Sequence, residues 1–513
     1  MPTIRLYNYA MKEAGLDVGI QTLGGSHDIR PVDPVEVGHD RQLLMDWHVV
    51  DDLNGCGRTV HQPKKHPDNP VLSPGEPYEG SGLHSFGTIM REPETGLFRA
   101  WVPTSDDELM KSEGKGLFVK RGHYYESDDG IEWRRPNLGL IEHKGSKANN
   151  IFIASYTDNL YVLRLPPRLH ERGRYAMVYC SILMGEEARN AERGHGGRNF
   201  IAFSDDGIRW TDAPENPVWY GRTDCGNNIV YNPDRDVFMM FRRATINAGE
   251  IRRIAYSESD DLISWSQPVN IVRREENDPL YLYSMHVHPY HGVYLGQLLR
   301  LFSPPHPQQE ELGNGMDYRM DTELAWSRDG IRWERHPHKP AFVPVSPNYR
   351  DSPDWGMAQG MGNIIEMDDH VRIYYGGRDF LHGGFAPEGA RRGGALCMGT
   401  LRRDGFVSID AGDDGGYMLT RPLRYRGGTL RINARTGKDG FVRVAVREAS
   451  GVRDGQWPKQ WRWDQCVPFT GDSVDHEIAW QHGQALDAFP GDGALRLHFW
   501  MENAELYSLR FEK

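Results

Sequence analysis

The phrase "SDDGIRW" at residues 204–210 returns as "SRDGIRW" at 327–333, as "SDDGIEW" at 127–133 and as "SDDLISW" at 259–265. A worn copy, "RRDGF", stands at 402–406, and the starts at 127, 204, 259, 327 and 402 are spaced by 77, 55, 68 and 75 residues. A fixed phrase at irregular spacing marks a repeated supersecondary unit with loops of different length. Each good copy follows a short strand-like run, "GHYYE", "NFIAF", "RRIAYSE" or "TELAW". Asp-Gly after such a run, followed by Ile-x-Trp, predicts a tight turn into a further strand. Turn chemistry accounts for each letter: Gly permits the backbone, Asp caps it, and Trp packs between units.

Upstream of the phrase lie longer pairs of strand candidates parted by turn residues. These are "FGTIMREPETGLFRAWV" (86–102), "NIVYNPDRDVFMMF" (228–241), "MHVHPYHGVYLGQLL" (285–299) and "GNIIEMDDHVRIYYGG" (362–377). Two strands plus a hairpin make a four-stranded antiparallel blade, and blades set radially make a propeller. The count is five, at roughly 80–140, 148–215, 224–270, 280–338 and 355–410. After 413 the pattern becomes simple alternation, as in "FVRVAVRE" (441–448) and "LRLHFW" (495–500), which places one face inward and predicts an antiparallel β-sandwich. The expected fold is all-β: an extension at 1–44, a five-bladed β-propeller at 45–412 and a sandwich at 413–513.

Composition narrows the function. Hydrophobic residues make up 38% of the 513, in short runs, far from the roughly 20 a membrane helix requires. The opening "MPTIRLYNYAMKEAGLD" lacks the pattern of a secretory signal. The five cysteines, Cys56, Cys180, Cys225, Cys397 and Cys466, are scattered without a C-x-x-C pair, so a reduced, cytoplasmic setting is expected. A net charge of −12 with interleaved signs argues against nucleic acid or anionic membrane as partner. A small polar ligand fits better, and the 14 Trp and 23 Tyr suit sugar stacking as well as core packing.

The phrases "RTVHQPKKHPDNPVL" (58–72), "SDDGIEWRRPNLGLIEHKGSKANNI" (127–151), "RRDGFVSIDAG" (402–412) and "GDSVDHEIAW" (471–480) resemble the five-bladed propeller glycosidases. The resemblance is to bacterial proteins similar to glycoside hydrolase family 32, with its relatives in families 43 and 68. It implies a glycoside hydrolase acting on the terminal sugar of a small saccharide, such as a furanoside or fructoside, with carboxylates in an axial pocket. The catalytic signatures W-M-N-D-P-N-G, R-D-P and E-C of the better-understood members are absent here. Their triad is therefore not carried over by position.

Residues just before or on the innermost strand of each blade should line the pocket. That filter selects Glu79 and His84 from the first blade, Asp158 less clearly from the second, where it also reads as a hairpin turn, Arg222, Asp224 and Asn227 from the third, Asp278, Tyr283 and His286 from the fourth, and Gln359 and Asp354 from the fifth. Arg378 and His382 follow the second strand of the fifth blade. Glycosidic cleavage needs one protonated and one ionised carboxyl group, and the expected carboxylates are Glu79, Asp224 and Asp354. His84, Arg222, Asn227, Arg242, Tyr283, His286, Gln359, Arg378 and His382 are the expected substrate contacts. A propeller-fold phosphorylase is the first alternative, with Arg222, Arg242 and Arg243 cradling phosphate; a non-catalytic sugar-binding protein is the second. No cofactor or metal ligand set is read from the spacing, an axial calcium being left open, as is a homo-oligomer.

Overall fold

In the computed structural model the described residues are 33–105, 120–154, 157–182, 197–223, 225–246, 251–302, 318–348, 352–383, 393–449, 458–481, 486, 489 and 494–513. The chain forms two compact units: Val60–Arg403, and a second made of the chain up to Thr59 with Asp404–Lys513. Regular structure among the described residues is strand with short 3-10 turns, and no helix is long and apolar enough to cross a membrane.

Val60–Arg403 repeats one antiparallel meander five times. Three long strands are followed by a short one, beginning with Thr88–Arg91, Phe98–Ser105, Lys120–Ser127 and Ile151–Ile153. The next is Thr157–Arg164, Tyr175–Ile182, Gly197–Ser204 and Thr211–Asp212, and the third is Asn228–Asn232, Val237–Ile246, Ile251–Ser259 and Val269–Asn270. The fourth is Tyr281–Tyr290, Val293–Leu301, Met320–Ser327 and Glu334–Arg335. The fifth, Met357–Glu366, His370–Arg378 and Gly394–Arg402, takes its outer strand from the far end of the unit, Lys64–Lys65. Pairing first with last in this way closes the unit without an open hairpin edge.

First strands of successive meanders also touch one another. Thr88 Oγ1 donates to the Leu160 carbonyl at 3.0 Å, Asn159 Nδ2 to Asn227 O at 2.9 Å, Asn228 Nδ2 to Val287 O at 2.9 Å, and Ile89 N to Asn363 Oδ1 at 3.0 Å. These bonds tie the buried polar groups of one meander to the next, as burial demands.

The repeated phrase is a turn in every copy. Gly130, Gly207 and Gly330 have φ of 74°, 71° and 76°, and Leu262, which replaces Gly in the third copy, has 69°. The Ser hydroxyl accepts the N–H of that residue, while Asp129, Asp206, Asp261 and Asp329 each accept the two following N–H groups. Each Asp is held below the ordinary carboxylate range: burial would raise it, but those backbone bonds outweigh burial. The turn also seats on a neighbouring meander. The Gly207 carbonyl accepts from Trp101 Nε1 at 2.6 Å, and the Gly130 carbonyl from Tyr374 OH at 2.8 Å.

The second unit is built on two long strands, Thr429–Glu448 and Ala494–Glu512, antiparallel over nearly their whole length with shifts at Asn433/Ala434 and Thr436/Phe441. Their alternating inward residues, including Leu430, Ile432, Val442, Val444, Leu495, Leu497, Phe499 and Met501, form one core. Residues expected to lie in a 1–44 extension and at the start of the propeller belong here. Val35–Gly38 pairs parallel with Leu423–Tyr425, and Val50–Asn54 pairs with Gly416–Thr420. The boundary expected at 45 thus lies at Thr59/Val60, because those short strands complete this unit's ten-stranded sheet.

Candidate functional site

Glu79 and Asp354 are buried, Glu79 engaged through both oxygens and Asp354 through Oδ2, while Asp354 Oδ1 makes no hydrogen bond among the described residues. Glu79 Oε1 accepts Arg135 Nε at 2.8 Å and Tyr125 OH at 2.6 Å, and its Oε2 accepts the Gly75 N–H at 2.6 Å. Burial alone would push this carboxyl up, but Arg135 and the other donors hold it below the ordinary glutamate value. Asp354 Oδ2 accepts Lys65 Nζ at 2.5 Å and Tyr375 OH at 3.0 Å. It thereby anchors the closing strand Lys64–Lys65. The two carboxylates share no partner, and each is engaged as a fastener of its own segment. Asp224 and the side chain of Arg222 lie outside the described residues; the Arg222 backbone is on the strand Trp219–Thr223.

Four of the expected contacts, His84, Tyr283, Arg378 and His382, come together. Arg378, the last residue of His370–Arg378, donates Nη2 to His84 Nδ1 at 2.5 Å. Since guanidinium only donates, Nδ1 is the acceptor, the proton sits on Nε2, and Nε2 donates to Ser105 Oγ at 2.8 Å. Desolvation, with Lys120 and Arg378 alongside, keeps His84 well below its ordinary value and so neutral. Tyr283 is the hub: His382 Nε2 meets its hydroxyl at 3.1 Å, Phe86 stacks on it at 6.5 Å, and the guanidiniums of Arg243 and Arg252 each lie 4.6 Å from its ring centre.

Lys120 joins this cluster, 6% exposed, where burial, with Arg378 and Arg243 also lowering it, brings its ammonium down to about 7. Burial likewise presses Arg243 to about 10 and lowers Arg378. Cys180 lies within electrostatic reach of Lys120 and Arg243, so all five meanders contribute. Among the described residues Arg252 and Arg378 have no carboxylate partner. Five cationic or potentially cationic groups, Lys120, Arg243, Arg252, Arg378 and His382, thus surround one tyrosine.

The remaining expected contacts lie elsewhere. Asn227 is bonded to Asn199 and Asn159 between meanders, and Gln359 accepts Ser85 Oγ at 2.8 Å and contacts Met320 Sδ at 3.2 Å. His286 packs against Phe86 at 5.9 Å, and burial lowers it to about 4. Arg242 points to the opposite face of its strand from Arg243 and stacks on Trp219 at 3.9 Å. Lys120 and Arg252 were missed from sequence because they stand on the third strand of their meanders, whereas the sequence filter looked at first strands. No group of three His, Cys, Asp or Glu is placed to hold a metal among the described residues.

The titration of Lys120 has a direct consequence for anion binding. A protonated Lys120 attracts an anion and a neutral one does not, so affinity should be full below pH 7 and fall as pH rises through about 7. Sulfate, a dianion throughout this range, is the suitable probe. Calorimetric titration should show its affinity falling by up to about tenfold between about pH 6 and pH 8, and that slope should vanish in Lys120→Met. An affinity flat with pH in the wild type would remove Lys120 from the site.

No family model matches the sequence, and no curated protein matches it. Solved structures similar to the chain include a glycoside hydrolase at 15% identity, covering 66% of this chain and 92% of that one with a TM-score of 0.42. The Bombyx mori family 32 β-fructofuranosidase is similar at 11% identity over 88% of this chain and 95% of that one, with a TM-score of 0.42. The β-1,2-mannobiose phosphorylase from Listeria innocua is similar at 12% identity over 67% and 97%, with a TM-score of 0.44.

Proposed function

We propose that the protein is a carbohydrate-active enzyme of the phosphorylase type, cleaving the terminal glycosidic bond of a small saccharide with inorganic phosphate in place of water. In this reading the five meanders are the blades of a five-bladed propeller, the second unit is a β-sandwich, and the enzyme works in the cytoplasm. The observation that carries it is the convergence of Lys120, Arg243, Arg252 and Arg378 around Tyr283. Arg252 and Arg378 have no carboxylate partner among the described residues, and planar guanidiniums match a tetrahedral oxyanion well.

The chemistry needs one acid. A carboxyl group protonates the glycosidic oxygen, a phosphate oxygen forms a bond to the anomeric carbon, and the carbon–oxygen bond to the leaving group breaks. The products are a sugar 1-phosphate and the freed alcohol. Asp224, one of the three carboxylates that the sequence nominates, is proposed as that acid. A hydrolase would need a second free carboxylate, and Glu79 and Asp354 are both engaged by cations.

The test is incubation with a panel of disaccharides and aryl glycosides, with and without phosphate, read by phosphorus NMR. Sugar 1-phosphate that appears only with phosphate and is abolished in Asp224→Asn is the expected result. Free reducing sugar formed equally well without phosphate would overturn the reading in favour of hydrolysis.

A further inference from the structure

Arg242 has no counter-charge among the described residues. It is 5% exposed, its Nε and Nη1 make no hydrogen bond among the described residues, and its guanidinium carbon lies over the Trp219 ring, 3.9 Å from the ring centre. Burial presses it to about 10. Its neighbour Arg243 faces the Tyr283 cluster, so adjacent residues on Val237–Ile246 present cations to opposite faces. An oxyanion bound among Lys120, Arg252 and Arg378 would leave Arg242 uncompensated. Cation–π contact with Trp219 offsets part of the desolvation, but a buried, unpaired charge is costly unless a ligand supplies its partner. A guanidinium held over an aromatic ring is preorganised to fork onto a carboxylate or phosphate beside an aromatic surface that suits sugar C–H groups.

We propose that the saccharide bound by this protein is itself acidic, bearing a carboxylate or phosphate group, and that Arg242 on Trp219 recognises that group. The inference rests on the reading of the protein as carbohydrate-active, and it adds a second anion locus to the one around Tyr283. Arg242 acts here as a specificity residue.

The experiment compares binding of D-glucuronate, D-glucose 6-phosphate and D-glucose by calorimetry to wild type, Arg242→Met, Arg242→Lys and Arg378→Met. In the wild type at least one acidic sugar should bind about tenfold or more tightly than glucose, and which one does so tells carboxylate from phosphate. Arg242→Met should reduce the ratio to near unity, Arg242→Lys should restore part of it, and Arg378→Met should leave it in place. Trp219→Leu, which keeps the charge and removes the ring, should also weaken the preference, and serves if the methionine variant does not fold. Equal binding of all three sugars to the wild type would overturn the proposal, as would a preference that survives both Arg242→Met and Trp219→Leu. A preference lost in Arg378→Met but kept in Arg242→Met would place the acidic group in the Tyr283 cluster and overturn it as well. The phosphorylase reading fails separately, through turnover that ignores added phosphate.

Discussion

Arg378→Met should lower phosphate-dependent turnover by about 10²–10³-fold, the usual loss when one preorganised donor to a developing or bound oxyanion is removed. The structure supplies the reason. Arg378 ends the strand His370–Arg378, is fixed by a single bond to neutral His84, and has no carboxylate partner among the described residues. Its remaining donors are therefore available to an anion. Steady-state kinetics with phosphate as the varied substrate checks this, and the loss should appear as a raised KM for phosphate together with a lowered kcat. The change should not unfold the protein, because removing a desolvated cation without a counter-charge relieves a cost. Turnover within threefold of wild type would take Arg378 out of the site.

Arg335→Met should cost about 3–5 kcal/mol of folding stability, as for breaking other buried ion pairs by removal of one partner. Arg335 joins Asp278 at 2.6 and 2.7 Å and Glu323 at 2.9 and 2.6 Å, with 4% of its side chain exposed. Arg300 adds two bonds of 2.8 Å to Asp321 and one of 3.2 Å to Glu323. Without Arg335, Asp278 keeps Lys339 at 3.1 Å and Glu323 keeps Arg300, which leaves two buried carboxylates undersupplied with charge. Burial would raise the Asp278 carboxyl, yet Arg335 and its other partners draw it down to about 2. A depressed aspartate contributes stability that is present above its unfolded value of about 3.9 and is lost as pH falls toward 2. Urea denaturation should therefore show the wild-type advantage over Arg335→Met shrinking in that acid window. A difference below about 1 kcal/mol at neutral pH would contradict the network's role.

The turn phrase was legible because its information is local. Ser, Asp and Gly at fixed offsets satisfy their own backbone, and three copies share a positive φ at Gly while the fourth imposes it on Leu262. The strand pairs were legible for the same reason, since alternation and turn residues act within about twenty positions. The closing strand Lys64–Lys65 was not, because two residues carry no period and their partner lies at Gly399–Thr400. Nor was the membership of Val35–Gly38 and Val50–Asn54, whose partners are about 370–390 residues away.

The candidate site divides in the same way. The sequence filter named His84, Tyr283, Arg378 and His382, which the fold brings together, whereas Lys120 and Arg252 lie on third strands that the filter did not consider. For Glu79 and Asp354 the sequence showed carboxylates near first strands, but only the fold shows Arg135 and Lys65 beside them. By itself the sequence determined the all-β character, the strand pairs and the turns, because each depends on neighbours along the chain. The tertiary structure alone decided which charges are neutralised and which converge, because electrostatic energy depends on distance and burial between residues that lie far apart in the chain.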